Sequence, residues 1–195
     1  MRRLAWAATA VLVACTEPSG PGPLVKPEPE LNFVRQDAAA PPLGTTTVSF
    51  YAKVGEDRGA ELSYEGDDDF LSFTVPAGSL HLKPDGSPFA AGDSVLITIT
   101  VVDAELFQFE FQPAGLRFHP SVPAQLEIEY VKADHDFDDD GEVGDDDDAA
   151  IATQIGLWYQ EKPGDPWTKL VTGVEIEADE IEADIFGFSR FAVAW

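Results

Sequence analysis

The side chains most able to do chemistry in this sequence lie in one acidic segment, DFDDDGEVGDDDD, from Asp136 to Asp148. Within it Asp136, Asp138 and Asp140 alternate along the chain, and Gly141 follows directly. Alternate carboxylates in a tightly curved loop point toward one centre, and a glycine permits the sharp turn that such a loop needs. Ligands that offer only oxygen suit a hard divalent cation, with Ca²⁺ favoured over Mg²⁺. The spacing therefore predicts a calcium site in this segment.

Two further residues complete the predicted set of calcium ligands. The backbone carbonyl of Glu142 would supply one oxygen, and Asp147, on a following helical turn, would close the coordination shell. Val143 would anchor the loop to the core. These positions resemble the calcium loop of EF-hand proteins and, more closely, that of dockerin modules, with Asp136 at the first position and Asp147 at the last.

The charge of the segment bears on whether it holds an ion. Four carboxylates within about 5 Å of one another repel by roughly 3 kcal/mol per pair at an effective dielectric constant of about 20. A divalent cation would relieve this repulsion and order the loop. The alternative interpretation is a solvated acidic run, which is common in acidic chains. Gly141 and Val143 favour the calcium interpretation, because acidity does not explain their positions.

The whole chain is strongly acidic, with 36 acidic and 12 basic residues among 195 and a net charge of −24. A field of this sign repels nucleic acid, so nucleic acid is not an expected partner. The chain has one cysteine, Cys15, and therefore no disulfide within the chain can hold the fold.

The first residues, MRRLAWAATAVLVAC, have the layout of a secretory signal. Arg2 and Arg3 give a positive start, and residues 4–13 form an apolar run. A run of about 10 residues is too short to span a bilayer of about 30 Å as a helix. The four residues 12–15, LVAC, resemble the lipobox of bacterial lipoproteins.

The lipobox resemblance implies a cellular address. In that family the signal peptide, here residues 1–14, is removed, and the cysteine, here Cys15, carries acyl chains that anchor the protein to a membrane. Thr16 follows the cysteine, and a residue other than aspartate there implies the outer membrane of a diderm bacterium. We therefore expect a lipid-anchored protein of the bacterial cell envelope. The alternative is an ordinary secretory signal with an incidental cysteine.

A proline-rich segment, residues 15–42, follows the predicted anchor and contains seven of the 15 prolines. Proline fixes φ and removes a hydrogen-bond donor, so such segments disfavour helix and sheet and act as extended spacers of about 3.1 Å per residue. We expect a tether over these residues. The short run Leu31–Val34 interrupts it and is apolar enough to dock on the domain.

Residues 43–195 alternate apolar and polar side chains with a period of two, which is typical of half-buried antiparallel strands. Clusters of Gly and Pro separate the runs. The sequence therefore predicts an all-β fold, an antiparallel β-sandwich with the acidic insert 134–148 in one of its loops. The runs include 48–54, 71–75, 95–101, 107–111, 126–130, 174–178 and 181–185.

Several of these runs also carry recognisable motifs. They are VPAGSL at 75–80, VLITITV at 95–101, FEFQPAGLRF at 109–118, PSVPAQLEIEY at 120–130, LWY at 157–159 and FSRFAV at 188–193. In this order they resemble the ZU-five-type domain found in ankyrins and netrin receptors. The resemblance implies a β-sandwich that serves as a structural or interaction module without activity of its own. Gly187 stands where the family usually has a histidine, so self-cleavage, known in some relatives, is not implied.

The sequence contains no recognisable catalytic constellation, and we expect a protein that is not an enzyme. The partner that fits the predicted address is an envelope protein. Trp158, Tyr159 and Trp167 suggest an alternative, a carbohydrate- or peptidoglycan-binding module, because such rings stack on sugars; they are also suited to packing in the core. A hydrolase that uses paired carboxylates is the least favoured alternative.

Overall fold

The computed structural model describes residues 22–66, 68–170, 173–175 and 179–195. In these ranges the chain forms fourteen β-strands, one 3-10 turn and one short α-helix. The predicted signal peptide and Cys15 lie outside the described residues, and so does Asp67. No helix in the described ranges is long and apolar enough to span a bilayer.

The strands are between two and ten residues long. In chain order they are β1 (Val25–Lys26), β2 (Thr47–Lys53), β3 (Arg58–Ser63), β4 (Asp69–Val75), β5 (Leu80–Leu82), β6 (Ser94–Asp103), β7 (Gln108–Gln112), β8 (Arg117–Phe118), β9 (Ala124–Glu129), β10 (Gly156–Gln160), β11 (Trp167–Lys169), β12 (Gly173–Glu175), β13 (Glu180–Ile185) and β14 (Arg190–Ala194). The 3-10 turn is Glu28–Glu30, and the helix α1 is Asp146–Ala152, between β9 and β10.

The strands form two main sheets in which every pairing is antiparallel. The larger sheet has the order β1-β11-β10-β14-β7-β6-β2, and the smaller has the order β12-β13-β9-β4-β3. A small ribbon of β5 and β8 stands beside them. The two main sheets pack face to face, which confirms the predicted all-β sandwich.

Phenylalanine rings fill the space between the sheets. Phe73 of β4, in the smaller sheet, meets Phe111 of β7, in the larger sheet, with ring centroids 5.1 Å apart. Phe188 lies 5.6 Å from Phe73 and Phe118 lies 6.2 Å from it. Aromatic pairs at these distances add directional attraction to the burial of apolar area. The alternation of apolar and polar side chains along the strands therefore places one continuous apolar layer inside the sandwich.

The N-terminal segment corrects the predicted spacer, because much of it belongs to the fold. We call residues 24–37 the strap. Its strand β1 pairs with β11, and both Leu31 and Val34 are buried. Pro27 caps the 3-10 turn and Pro29 lies in its first residues, positions where proline is tolerated because no backbone donor is needed there. The free energy gained by burying the apolar run thus exceeds the cost of the backbone hydrogen bonds that the prolines cannot donate.

The strap covers the outer face of the larger sheet around two tryptophans. Leu31 packs in a separate apolar cluster with Trp158 and Trp167, which are both 0% exposed, and Phe33 packs against this cluster. The Phe33 and Trp167 rings are 5.7 Å apart, edge to face, and the Trp158 indole N–H donates to the Ala194 carbonyl at 2.9 Å. The two indoles therefore pack inside the protein and do not offer a surface on which a sugar could stack.

The aromatic layer gives a test of the sandwich. We expect Phe73→Ala to lower the free energy of unfolding by about 3–5 kcal/mol, because the substitution removes a buried ring and leaves a cavity. The measurement is urea unfolding followed by circular dichroism. Phe186→Ala is the matched control, since that ring is half exposed, and we expect it to change stability by no more than about 0.5 kcal/mol. Equal losses in the two variants would contradict the placement of Phe73.

Candidate metal centre

The acidic segment forms a loop that lies against both ends of the described chain. We call residues 134–148 the acidic loop; it follows β9, and its last residues begin α1. The backbone N–H of Asp134 donates to the carbonyl of Arg35 in the strap at 2.8 Å. The Phe137 ring lies 5.8 Å from the ring of Trp195. The sheets thus hold the loop at the place where the strap meets the C-terminal residue.

Phe137, rather than Val143, anchors the acidic loop. Phe137 is 9% exposed and contacts the rings of His135 and Trp195, whereas Val143 is 68% exposed. The prediction for Val143 is therefore wrong. The backbone turns at Gly141 and again at Gly144, both with positive φ, and this double turn carries Val143 into solvent.

Carboxylate oxygens of Asp136, Asp138 and Asp148 converge, and all three lie within 4.8 Å of one another. Calcium binds oxygen ligands at about 2.3–2.6 Å, so two ligands of one ion can be up to about 5 Å apart. The three carboxylates therefore fit one calcium ion both in spacing and in chemistry, because they offer only oxygen. Two of them, Asp136 and Asp138, belong to the set predicted from the sequence.

Asp148, and not the predicted Asp147, is the third carboxylate of this group. Asp145 caps α1, since its side chain accepts from the N–H groups of Asp147 and Asp148 at 2.9 and 3.0 Å. This cap makes Asp148 the third helical residue, on the same side of the helix as Ile151 three residues later. Asp148 is consequently 1% exposed, while Asp147 faces solvent. If the helix cap is assigned to Asp145, the first aspartate after Gly144, the sequence alone identifies Asp148 as the residue that faces inward.

Asp140 and Glu142 shape the loop without joining the three carboxylates. The Asp140 N–H is shared between the side chains of Asp136 at 2.9 Å and Asp138 at 3.2 Å. The Asp140 carboxylate accepts the Glu142 N–H at 2.8 Å. Both side chains are exposed, and the carbonyl of Glu142 as a ligand stays a prediction.

Backbone N–H groups offset part of the negative charge at the centre. The two oxygens of Asp148 accept from Phe137 at 2.6 Å and from Gly144 at 2.7 Å, and a second Asp136 oxygen accepts from Gly141 at 2.9 Å. Burial on its own would raise the pKa of Asp148, but these N–H donors outweigh it and hold that pKa below its ordinary value. Asp148 is therefore ionised, as a metal ligand must be, at neutral pH.

The pKa of Asp138 is shifted in the opposite direction, above its ordinary value. Partial removal from water raises the pKa of Asp138 most, and the neighbouring carboxylates of Asp140 and Asp148 raise it further. The raised pKa means that the ionised form of Asp138 is disfavoured by its surroundings. A cation at this point would instead favour the ionised form of Asp138, because it would attract each of the carboxylates that repel one another.

A cavity of about 450 Å³ opens beside Asp136 and Asp138. Asp136, Asp138 and Phe137 form its wall on the side of the acidic loop, and Phe33 and Trp195 form part of the apolar wall opposite. Asp136 and Asp138 thus face a space that residues of the strap partly enclose.

A second group of carboxylates lies on the outer face of the smaller sheet. Glu127 of β9 stands directly opposite Glu182 of β13, and Glu129 stands opposite Glu180. Burial first, and then the neighbouring carboxylates, raise the pKa of Glu127 and of Glu129. Their backbone N–H groups serve the strand ladders, unlike those of the acidic loop. Carboxylate oxygens of Glu127, Glu180 and Glu182 also lie within 4.8 Å of one another, so spacing does not distinguish the two groups. We interpret this group as a repulsive face, because like charges stand opposite each other across the strands.

No protein-family model, curated protein or solved structure matches this chain. The resemblances to ZU-five-type domains and to EF-hand or dockerin loops therefore stay predictions from the motifs.

The acidic sheet face predicts an unusual pH dependence. The raised pKa of Glu127 in the folded state means that its contribution to stability falls as the pH rises through that pKa. We expect Glu127→Gln to raise the free energy of unfolding by about 0.2–1 kcal/mol at pH 7, because it removes a like-charge pair across the strands. Near pH 3, below the ordinary pKa of about 4.3, the gain should disappear.

The measurement for Glu127 is urea unfolding at the two pH values. Glu105→Gln is the control, since Glu105 is an exposed residue in the turn between β6 and β7 of the other sheet. A gain at neutral pH that is equal in both variants would show that only the lower net charge matters.

Proposed function

We propose that this protein is a non-catalytic β-sandwich interaction module of the bacterial cell envelope, anchored by lipid on Cys15 and stabilised by calcium. One observation carries the calcium part of the proposal: the carboxylate oxygens of Asp136, Asp138 and Asp148 converge within 4.8 Å, and backbone N–H groups of the loop hold Asp136 and Asp148 in place. Three carboxylate oxygens at this spacing are a ligand set for a hard cation, and the loop joins parts of the chain that are far apart in sequence.

Calcium in this proposal has a structural role. The centre lies beside the buried Phe137 and next to the strap, at one end of the sandwich. Binding of an ion to the folded state alone stabilises that state by mass action. The ion would therefore hold the loop, the strap and the C-terminal strand in one arrangement.

The non-catalytic part of the proposal is supported by the surroundings of the three histidines. His81 and His119 pack against each other, with ring centroids 5.3 Å apart. His119 Nδ1 accepts the N–H of Ser121 at 3.1 Å, and His135 Nε2 lies 3.2 Å from a carboxylate oxygen of Asp179. Each of the three rings therefore has a packing or hydrogen-bond partner, and this supports a structural role for them.

The partner in this proposal is an envelope protein and not a glycan. The alternative of a carbohydrate- or peptidoglycan-binding module depended on Trp158, Tyr159 and Trp167. Both tryptophans are buried beneath the strap and Tyr159 is only partly exposed, so that alternative loses its main support.

The calcium proposal can be tested by isothermal titration calorimetry with the full-length protein. We expect Ca²⁺ to bind, and Ca²⁺ at about 100 times its Kd to raise the free energy of unfolding by about 2.7 kcal/mol. Asp148→Asn should abolish or greatly weaken binding, because it removes a charged ligand that is held in place by two backbone donors. Asp147→Asn, the matched control, should leave the affinity unchanged.

Two results would contradict the assignment of the centre. Absence of binding to the unaltered protein at millimolar Ca²⁺ would remove calcium from the proposal. Loss of binding in Asp147→Asn with retention in Asp148→Asn would return the closing ligand to the residue predicted from the sequence.

The anchor is tested by metabolic labelling with a fatty acid in a diderm bacterial host. We expect the label on the unaltered protein, which should partition with the membrane fraction, because acyl chains on Cys15 hold it there. Cys15→Ser should be unlabelled and soluble after cell fractionation. A Cys15→Ser protein that remains in the membrane fraction would overturn the anchor.

A further inference from the structure

We propose that one edge of the larger sheet docks on the anionic lipid surface of the membrane in which the protein is anchored. We call Leu24, Val25, Lys26 and Lys169, which lie where β1 pairs with β11, the basic edge. This inference rests on the proposed lipid anchor at Cys15. It adds to the proposed function the orientation of the domain and a second partner, a layer of lipid headgroups.

The strap fixes the place at which the chain toward Cys15 leaves the domain. The Lys169 N–H donates to the Leu24 carbonyl at 2.9 Å, and the two residues of β1 pair with β11. Farther along the strap, Val34 is 0% exposed and its N–H donates to the Val193 carbonyl at 3.0 Å. The strap is therefore a fixed part of the sandwich, and the chain toward the anchor leaves at the β1 edge of the larger sheet.

The distance between Cys15 and the domain limits how the domain can lie. Leu24 follows Cys15 by nine positions, and a chain of that length spans at most about 30 Å in any conformation. A domain of this size has a radius of gyration of about 15–16 Å and hence a diameter on the order of 40 Å. Because the link is shorter than the domain is wide, lipid on Cys15 favours orientations in which β1, and not β2 at the opposite end of the sheet, lies next to the membrane.

The positive charge that no carboxylate neutralises is concentrated on this side of the larger sheet. Ten of the 12 basic residues lie in the described ranges, and six of these ten form ion pairs with carboxylates. The other four, which form no ion pair with a described carboxylate, are Lys26, Lys162, Lys169 and Arg190. They lie in β1, in the turn between β10 and β11, in β11 and in β14, which are neighbours in the sheet. A strongly acidic protein thus presents its unpaired cations on the side from which the anchored chain leaves.

The two lysines of the basic edge lie over one indole. The Lys26 and Lys169 Nζ atoms are 5.6 and 5.9 Å from the centre of a Trp158 ring, and a cation–π attraction holds each of them there. Partial burial lowers the pKa of Lys169, and the neighbouring Lys26 lowers it further. Two ammonium groups placed in this way repel each other, so an anion that approaches both of them relieves the repulsion. A lipid phosphate is an anion of this kind.

Two apolar side chains at the same edge also fit a lipid surface. Leu24 is 53% exposed and Val25 is 52% exposed, and both directly precede Lys26. Apolar side chains beside basic ones are typical of surfaces that bind at the membrane interface. The carboxylate nearest along the strap, Glu28, has its Oε2 atom 3.4 Å from the Trp167 indole nitrogen. Acidic side chains more than about 8 Å from the lipid are largely screened at physiological ionic strength, so the net negative charge does not prevent this contact.

Fluorescence quenching on the lipidated full-length protein tests the orientation. Cys15 is the only cysteine of the chain and carries lipid in this proposal, so a fluorophore attaches only to an introduced cysteine. We expect a fluorophore on Val25→Cys to be quenched strongly by vesicles of phosphatidylcholine and phosphatidylglycerol that carry a nitroxide on some headgroups. Ser49→Cys is the matched control, because its native side chain is also exposed and lies in β2, the edge strand at the other end of the same sheet, and we expect little quenching there.

The lysines are tested in the same assay. Loss of one lysine near an anionic surface lowers the docking equilibrium about fivefold, so we expect Lys26→Gln with Lys169→Gln to lower it roughly 25-fold. Lys26→Gln alone should lower it about fivefold and serves if the double variant does not fold. The matched control is Lys53→Gln with Lys83→Gln, which removes the same charge from two ion-paired lysines and should leave docking unchanged. Vesicles of phosphatidylcholine alone, or salt at about 1 M, should weaken the quenching at position 25, because docking depends on charge.

The outcomes separate this inference from the proposed anchor. A protein that takes up no fatty acid and stays soluble overturns both. A lipidated protein with equal quenching at positions 25 and 49 overturns the docking surface and leaves the anchor in place. Equal effects of the two pairs of lysine substitutions, or equal quenching by vesicles with and without phosphatidylglycerol, also overturn the docking surface.

Discussion

Burial of aromatic rings between two antiparallel sheets is the constraint on which this structure depends. Phe73 and Phe111 come from different sheets and meet at 5.1 Å, so the two sheets must face each other with their apolar sides in register. A strand shifted by one residue would turn its apolar side chains outward and its acidic ones inward. The layer of rings therefore fixes which side chains can lie at the surface, and the acidic loop and the strap are both attached to this frame.

The surface must then hold a net charge of −24, and it does so in two different ways. On the smaller sheet Glu127 faces Glu182 across the strands, and the backbone N–H groups are occupied by the ladder. In the acidic loop the backbone is not part of a ladder, so its N–H groups turn toward Asp136 and Asp148. Donors of this kind offset part of the negative charge on the carboxylates that they contact. This difference in backbone geometry is the reason for which we favour the loop over the sheet face as the candidate metal centre.

The strap lies between the proposed lipid anchor and the β-sandwich module. It lies over Trp158 and Trp167, meets the acidic loop at Arg35, and bonds to Trp195 through Asn32. A chain that leaves the domain through such contacts is not a simple spacer, because these contacts hold it on the sandwich. The two indoles that suggested a glycan-binding surface in the sequence are buried in the structure, where the strap packs on them.

The sequence by itself determined the alternating strands, the sandwich and the acidic loop with Asp136 and Asp138, because these depend on local periodicity and spacing. Only the tertiary structure decided that Asp148 closes the group, since the choice depends on which of four consecutive aspartates caps α1 and so sets the helical phase. It also decided that Phe137 and not Val143 anchors the loop, and that the strap docks beyond the apolar run Leu31–Val34, with β1 paired to β11. Some of these features, like the pairing of Glu127 with Glu182, bring together residues that are distant along the chain. Others depend on the direction in which the backbone turns. A local sequence pattern determines neither kind of feature.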